Sequence, residues 1–183
     1  DHTLWVKKVL QAFERFRLLC AVREGDWGVT GLNTAIEREL IARKRLVKDG
    51  PWYAGRPVMV TRNDSALGVF NGDIGITLPS PDGLLRVYFL DGDQLRSVGV
   101  ARLAHIETAF AMTVHKSQGS EFTHAALVLP TYGGSVLGRE LVYTGITRAK
   151  AQCTVFTQHP QVLAQALAQP TQRHSGLLEF FDS

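Results

Sequence analysis

Ten consecutive residues, Thr113-Val114-His115-Lys116-Ser117-Gln118-Gly119-Ser120-Glu121-Phe122, bring together hydroxyls, an imidazole, an ammonium, an amide, a glycine and a carboxylate. The apolar runs Ala109-Phe110-Ala111-Met112 and Ala125-Ala126-Leu127-Val128-Leu129 flank them. Thr113 lies where a strand stops and a short helix can begin, so its hydroxyl can cap that helix. Backbone N–H groups at a helix start are ready ligands for an anion. His115, Lys116 and Gln118 donate hydrogen bonds, and Lys116 adds charge. Gly119 lets the backbone turn or approach a phosphate closely. Glu121 is an acceptor suited to sugar hydroxyls or to a basic neighbour. Two buried strands with a polar turn between them have the layout of a ligand site at the C-terminal end of a parallel sheet. The plain alternative is a polar helix cap with solvated side chains.

A second cluster is Glu140-Leu141-Val142-Tyr143-Thr144-Gly145-Ile146-Thr147-Arg148-Ala149-Lys150. On a helix, Arg148 lies one turn past Thr144 and two turns past Glu140. A planar guanidinium suits bidentate contact with a phosphate and stabilises charge spread over its oxygens. The competing reading is a surface arginine near a helix C-terminus, which the helix dipole favours. Tyr143 and Ile146 read as packing residues.

The elements that must hold these clusters follow from hydrophobic period. Helical spacing predicts helices over 3–15, 30–48, 138–149 and 160–168, with Thr30 able to cap the second. Apolar runs predict buried strands over 16–22, 106–112, 124–130 and 152–157. From about 50 the period changes. Four β-runs (58–61, 73–78, 84–90 and 95–100) are separated by Asn71-Gly72-Asp73, Pro81-Asp82-Gly83 and Asp91-Gly92-Asp93 turns. A small antiparallel barrel inserted into an α/β domain accounts for the change. Near the end, Leu177, Leu178, Phe180 and Phe181 form an apolar clump expected to dock on another surface.

The chain has 183 residues, 45% hydrophobic and 20% charged, which suffices for a core and argues against disorder. Its net charge of +3 and pI of about 9.0 suit a polyanionic partner without demonstrating one. Cys20 and Cys153 sit in apolar runs and read as buried thiols; neither has a CxxC partner, which argues against zinc and redox motifs. No apolar run approaches a membrane span and no secretory signal is present, so a cytoplasmic setting is the expectation. The chain opens on Asp1 directly into a helical pattern, as an excised piece of a longer polypeptide would.

Ala111 to Phe122 resembles motif V of superfamily-1 helicases of the RecD/TraA type, and Glu140 to Lys150 resembles their motif VI. Leu19 to Gly25, continuing to Gly28 and Leu32-Asn33, is similar to motif IV. Arg56 to Asp64 and Phe70 to Gly75 are similar to the Src-homology-3-like barrel inserted in the same group. The resemblance runs in order over about residues 16–157. Its combination lies nearest the RecD branch, the alpha chains of bacterial exodeoxyribonuclease V.

The resemblance implies an α/β fold: a second RecA-like motor domain with a P-loop-NTPase-like parallel sheet, over 1–54 and 105–183, interrupted by a barrel over 55–104. It implies that Arg148 is an arginine finger toward ATP and that Arg23, the motif IV arginine, reaches the same phosphates. Gly119, Glu121 and Gln118 would face the nucleotide. Thr113, His115 and Lys116 would face single-stranded DNA, with Asn63, Asp64 and Asn71 as polar contacts from the barrel. No G-x-x-x-x-G-K-[ST] loop and no acidic Walker B motif occurs in the chain. The primary site for ATP and Mg2+ is therefore expected on another motor domain, and the chain by itself is expected not to turn over ATP. The implied activity is 5′→3′ unwinding of duplex ends in a complex with RecB-like and RecC-like subunits. Alternatives are a stand-alone RecD-like or conjugative relaxase-type helicase, or a non-catalytic module that binds single-stranded DNA.

Overall fold

The computed structural model describes residues 1–134 and 136–169, so the apolar clump at 177–181 lies outside the described residues. Four α-helices are present among the described residues: α1 (His2–Glu14), α2 (Val29–Ala42), α3 (Arg139–Ile146) and α4 (Pro160–Ala168). Nine strands accompany them: β1 (Phe16–Cys20), β2 (Pro57–Val60), β3 (Ile74–Pro79), β4 (Leu85–Asp91), β5 (Gln94–Gly99), β6 (Ile106–Thr108), β7 (Ala111–Thr113), β8 (Phe122–Val128) and β9 (Ala149–Phe156).

The strands form two sheets. One is parallel, in the order β7-β1-β8-β9. Leu19, Ala125, Leu127 and Met112 fill one of its faces beneath α3 and α4. Cys20 and Ala111 on the other face meet Val29 and Leu32 of α2. Helices on both faces of parallel strands are the mixed α/β layering that the apolar runs predict. Gly145 of α3 lies so close to the sheet that an added Cβ would sit 3.0 Å from Leu127. No larger residue lets this helix approach as far without displacing its neighbour.

The second sheet is antiparallel, in the order β5-β4-β3-β2-β6. Its hairpins turn at the three predicted glycines, Gly72, Gly83 and Gly92, all at positive φ. Val58, Val60, Val87, Phe89 and Val98 make one core face. Ile76, Leu78 and Tyr88 make the other, against Val6 and Leu10 of α1. Among the described residues, no pairing of β5 with β6 closes this sheet into a barrel.

Several boundaries differ from the sequence pattern. The run 106–112 is not one strand. Its first part, β6, pairs with β2 in the antiparallel sheet, and its second part, β7, pairs with β1 in the parallel one. Buried Asn33 clamps the crossing: its Nδ2 donates to the carbonyls of Thr108 (2.9 Å) and Ala111 (3.3 Å), and its Oδ1 accepts from the Ala111 N–H (2.9 Å). One amide thus satisfies the backbone that each sheet leaves unpaired at the joint. Helix α2 starts at Val29 with Gly28 as its cap, so Thr30 lies inside the first turn, and the helix ends at Ala42, short of 48. Cys20 is buried but Cys153 is exposed, because β9 is an edge strand with mostly exposed positions. No helix among the described residues is long and apolar enough to cross a membrane.

Candidate functional site

The β7–β8 connection is built around an alternation of inward and outward side chains. Val114 and Ser117 are buried, and the Ser117 hydroxyl donates to the Val114 carbonyl at 2.5 Å. This closes a 3-10 turn over His115–Ser117 and leaves His115 exposed and Lys116 half-buried on the outer side. Thr113 Oγ1 accepts the Lys116 N–H at 3.2 Å, but the turn's N-cap is Val114, so this hydroxyl reaches the turn from one residue before the expected cap position. Gly119 then takes φ +83° and the chain enters β8.

Strand direction divides this stretch into two places. Thr113 ends β7, level with Cys20 of β1 and, across β1, with Val128 of β8. Phe122 begins β8, six residues before Val128, which is about 20 Å along a strand. The ten residues therefore span the height of the sheet, and the expectation of one ligand site at the C-terminal end is corrected. Thr113, His115 and Lys116 belong to the carboxyl end, and Glu121 belongs to the amino end of β8.

At the amino end stands Arg148. It follows the last turn of α3 and directly precedes β9, whose first residue pairs with Phe122. The Phe122 N–H donates to the Arg148 carbonyl at 2.8 Å, which ties the two clusters together through backbone. The Arg148 guanidinium donates to three neutral oxygens: Thr144 O (3.1 Å), Ser120 O (3.2 Å) and Thr147 Oγ1 (3.4 Å). It has no ion-pair partner among the described residues, whereas Glu121 reaches Lys150 at 3.8 Å. Arg148 is thus oriented by carbonyls while its full charge stays available to an anion. Gln118, Gly119 and Ser120 lie exposed along the path into β8.

The carboxyl end gathers residues from both sheets. Lys116 Nζ donates to Asn71 Oδ1 at 2.8 Å, and the Asn71 N–H donates to Asn63 Oδ1 at 2.8 Å. Three residues predicted separately therefore form one contact chain. Asp64 uses its carboxylate within its own turn, accepting the Leu67 N–H at 3.1 Å.

Arg23 is not with Arg148. It follows the carboxyl end of β1, at the opposite end of the sheet, and its Nη2 pairs with Glu107 at 2.8 Å. Hydrogen bonding and charge attraction from Glu107 push the Arg23 pKa above its usual value. The reading that puts Arg23 and Arg148 on the same phosphates is corrected, because the parallel register places Arg23 past the carboxyl end of β1 and Arg148 before the amino end of β9.

Three features were missed in the sequence. Arg17 is buried, its guanidinium 4.1 Å from the Phe13 ring centre and 4.9 Å from that of Phe122, with Nε and Nη1 lacking any acceptor. Alternation along Phe16–Cys20 signals its inward position. Asn33 is the sheet clamp, which only the crossover reveals. Phe70 stands half-exposed beside Asn71. As for metals, no group of three or more His, Cys, Asp or Glu side chains converges among the described residues.

Residues 108–156, which contain both polar clusters, match the UvrD-like helicase C-terminal domain family. The chain is 38% identical over 158 residues to RecBCD enzyme subunit RecD of Buchnera aphidicola subsp. Acyrthosiphon pisum, covering 83% of this chain and 26% of that one. It is 42% identical over 167 residues to RecBCD enzyme subunit RecD of Haemophilus influenzae, covering 90% and 25% respectively. A Pif1 helicase from Bacteroides, solved in complex with ADP-AlF3 and ssDNA, shares the fold with a TM-score of 0.51 at 15% identity, covering 91% of this chain and 44% of that one. The chain spans about a quarter of the length of the RecD subunits it matches. Across most of its length the chain is related in sequence to RecBCD enzyme subunit RecD, and its fold is mixed α/β with a parallel sheet.

Proposed function

We propose that this chain supplies the second motor module of an ATP-dependent DNA helicase of the RecD type. In this reading, 1–54 and 105–183 form the RecA-like module and 55–104 its insertion. The helicase works 5′→3′ on duplex ends beside RecB-like and RecC-like subunits. The observation that carries the reading is the amino end of the parallel sheet. There Arg148 is braced by three neutral acceptors and stands next to the exposed Gly119–Glu121 backbone.

Arg148 has the chemistry to complete a nucleotide site whose phosphate loop and Mg2+ ligands lie on another domain. Glu121, exposed and only loosely held by Lys150, is placed to accept from the nucleotide's sugar. At the carboxyl end, Thr113, His115, Lys116, Asn63 and Asn71 face the single strand, with Lys116 as the phosphate-directed charge. The two ends are joined by the β7–β8 connection and by β8. Binding events at one are therefore transmitted to the other through a segment pinned at Val114 and Ser117.

The test is a chimera in which this chain replaces the matching quarter of the Haemophilus influenzae RecD subunit. Arg148→Ala should leave nucleotide binding nearly intact and lower DNA-stimulated ATP turnover by roughly a thousand-fold or more. Turnover equal to the unsubstituted chimera removes Arg148 from the role. The chain alone should show no ATP turnover, and measurable DNA-stimulated turnover by it overturns the division of labour.

A further inference from the structure

The loop that carries Asn71 also carries an unexplained aromatic. Phe70 is 50% exposed, yet the backbone holding it is fixed from every side. Its N–H donates to Asp73 Oδ2 at 3.0 Å, its carbonyl accepts the Asp73 N–H at 2.9 Å, and the next residues tie back to Val60 on both its N–H and its carbonyl. A large apolar ring displayed on a pinned loop loses little freedom when it meets a flat partner.

Behind the ring lies an open cleft of about 330 Å³, lined by Phe70, Ile74, Phe89, Leu90, Asp91 and Arg96 among others. That volume is at the small end of ligand clefts, which run from roughly 300 Å³ upward. Its polar groups are selective. Arg96 is committed to the Gly68 carbonyl and to Asp73, 3.5 Å away, but its Nε is buried with no acceptor. Asp91 has no ion-pair partner among the described residues and is exposed. A bare carboxylate at the mouth repels a phosphate, so the cleft suits a neutral, flat, hydrogen-bonding group. A nucleobase has that chemistry, and Lys116, on the neighbouring Asn71, marks where its phosphate would lie.

We propose that Phe70 and this cleft form a base-stacking pocket, which takes one nucleobase of the single strand whose backbone is held at Lys116. Stacking on the ring supplies affinity without sequence preference. The exposed Asp91 carboxylate supplies an acceptor for the base edge. The inference rests on the proposed reading of the Lys116–Asn71–Asn63 chain as a DNA contact.

The experiment measures binding of the full 183-residue chain to a short fluorescent deoxythymidine oligomer and to an abasic oligomer of equal length, by anisotropy across a salt series. The wild type should bind the abasic oligomer about five-fold or more weakly. Phe70→Ala should bind both oligomers as the wild type binds the abasic one, and Phe70→Leu should do the same, because it keeps bulk but loses the ring. Lys116→Ala should weaken both oligomers alike and reduce the salt slope by about 0.7. Equal wild-type affinity for the two oligomers, or discrimination that survives Phe70→Ala, overturns the pocket while a Lys116 effect leaves the DNA reading standing. If Lys116→Ala also changes nothing, or if the chain binds neither oligomer, both fall together. Circular dichroism of each variant excludes misfolding as the cause of a loss.

Discussion

Replacing Arg17 with methionine should make the protein more stable. Arg17 is 3% exposed, and two of its guanidinium nitrogens have no acceptor. Burial lowers its pKa from the ordinary arginine value to about 10, with Glu14 opposing the fall. A fall of that size disfavours the charged form by about 3 kcal/mol. The two rings beneath it, Phe13 and Phe122, return on the order of 1 kcal/mol each. Methionine keeps an unbranched stem and a sulfur that also packs on aromatic rings, so most ring contact survives. The net gain should therefore be about 1–2 kcal/mol, in the direction seen when buried ionic groups give way to apolar ones.

Urea unfolding of the two proteins, followed by circular dichroism, reads this as a higher midpoint at unchanged slope. The pH dependence supplies a control. For a base with a lowered native pKa, the unfolded chain keeps its proton above about pH 10 while the native state does not, so stability rises with pH only in that alkaline range. Below it both states are charged and the penalty is constant. The gain must therefore be the same at pH 6 and pH 8. Arg17→Ala should instead lose about 1–3 kcal/mol, because the stem and both ring contacts go and a void remains. A loss on Arg17→Met greater than about 1 kcal/mol refutes the reasoning, since it means the guanidinium has good acceptors in the folded protein.

Two further outcomes follow from groups away from the two polar ends. Burial pushes the Glu37 carboxyl up, but hydrogen bonds from Lys48 and Tyr53 outweigh it and hold its pKa below the usual value. A lowered carboxylate contributes stability above its unfolded pKa of about 4.3 and loses it as pH falls through the native one; Glu37→Gln should cost about 1–2 kcal/mol at neutral pH and flatten the acid side of a pH–stability curve, and an unchanged acid limb refutes it. Cys20 is fully buried and its thiol is pushed up to about 12 by burial, whereas Cys153 is exposed on the edge strand. A thiol reagent at pH 8 should therefore modify one cysteine in the native protein and two in urea, and rapid modification of both in the native state contradicts the packing of β1.

The elements were legible wherever a local rule decides them. Helix α4 falls where the sequence places it, because Pro160 opens the helix and Val162 and Ala166 are one turn apart on the buried side. The hairpins of the antiparallel sheet were legible because Gly72, Gly83 and Gly92 stand where positive φ is needed. The split of 106–112 was not legible. Strand propensity says that a segment is extended but is silent on which neighbour it pairs with, and here two halves of one apolar run join different sheets. Cys153 misled for a related reason: an apolar run was taken as interior, but β9 has a neighbour on one side only.

The residue types at the two polar clusters, and the ordering that resembles a helicase second motor domain, were fixed by the amino-acid sequence alone. They rest on side-chain chemistry at short spacing, which needs no fold to be read. Only the tertiary structure decided which of those residues work together. Parallel strands carry the chain from one end of the sheet to the other between Thr113 and Phe122, so ten adjacent residues serve two separate ends. The same geometry separates Arg23 from Arg148. Lys116 and Asn71 are 45 residues apart in sequence, yet lie 2.8 Å from each other in space. Pairing register and sheet order set these distances, and both are properties of long-range backbone hydrogen bonding that no local window of sequence contains.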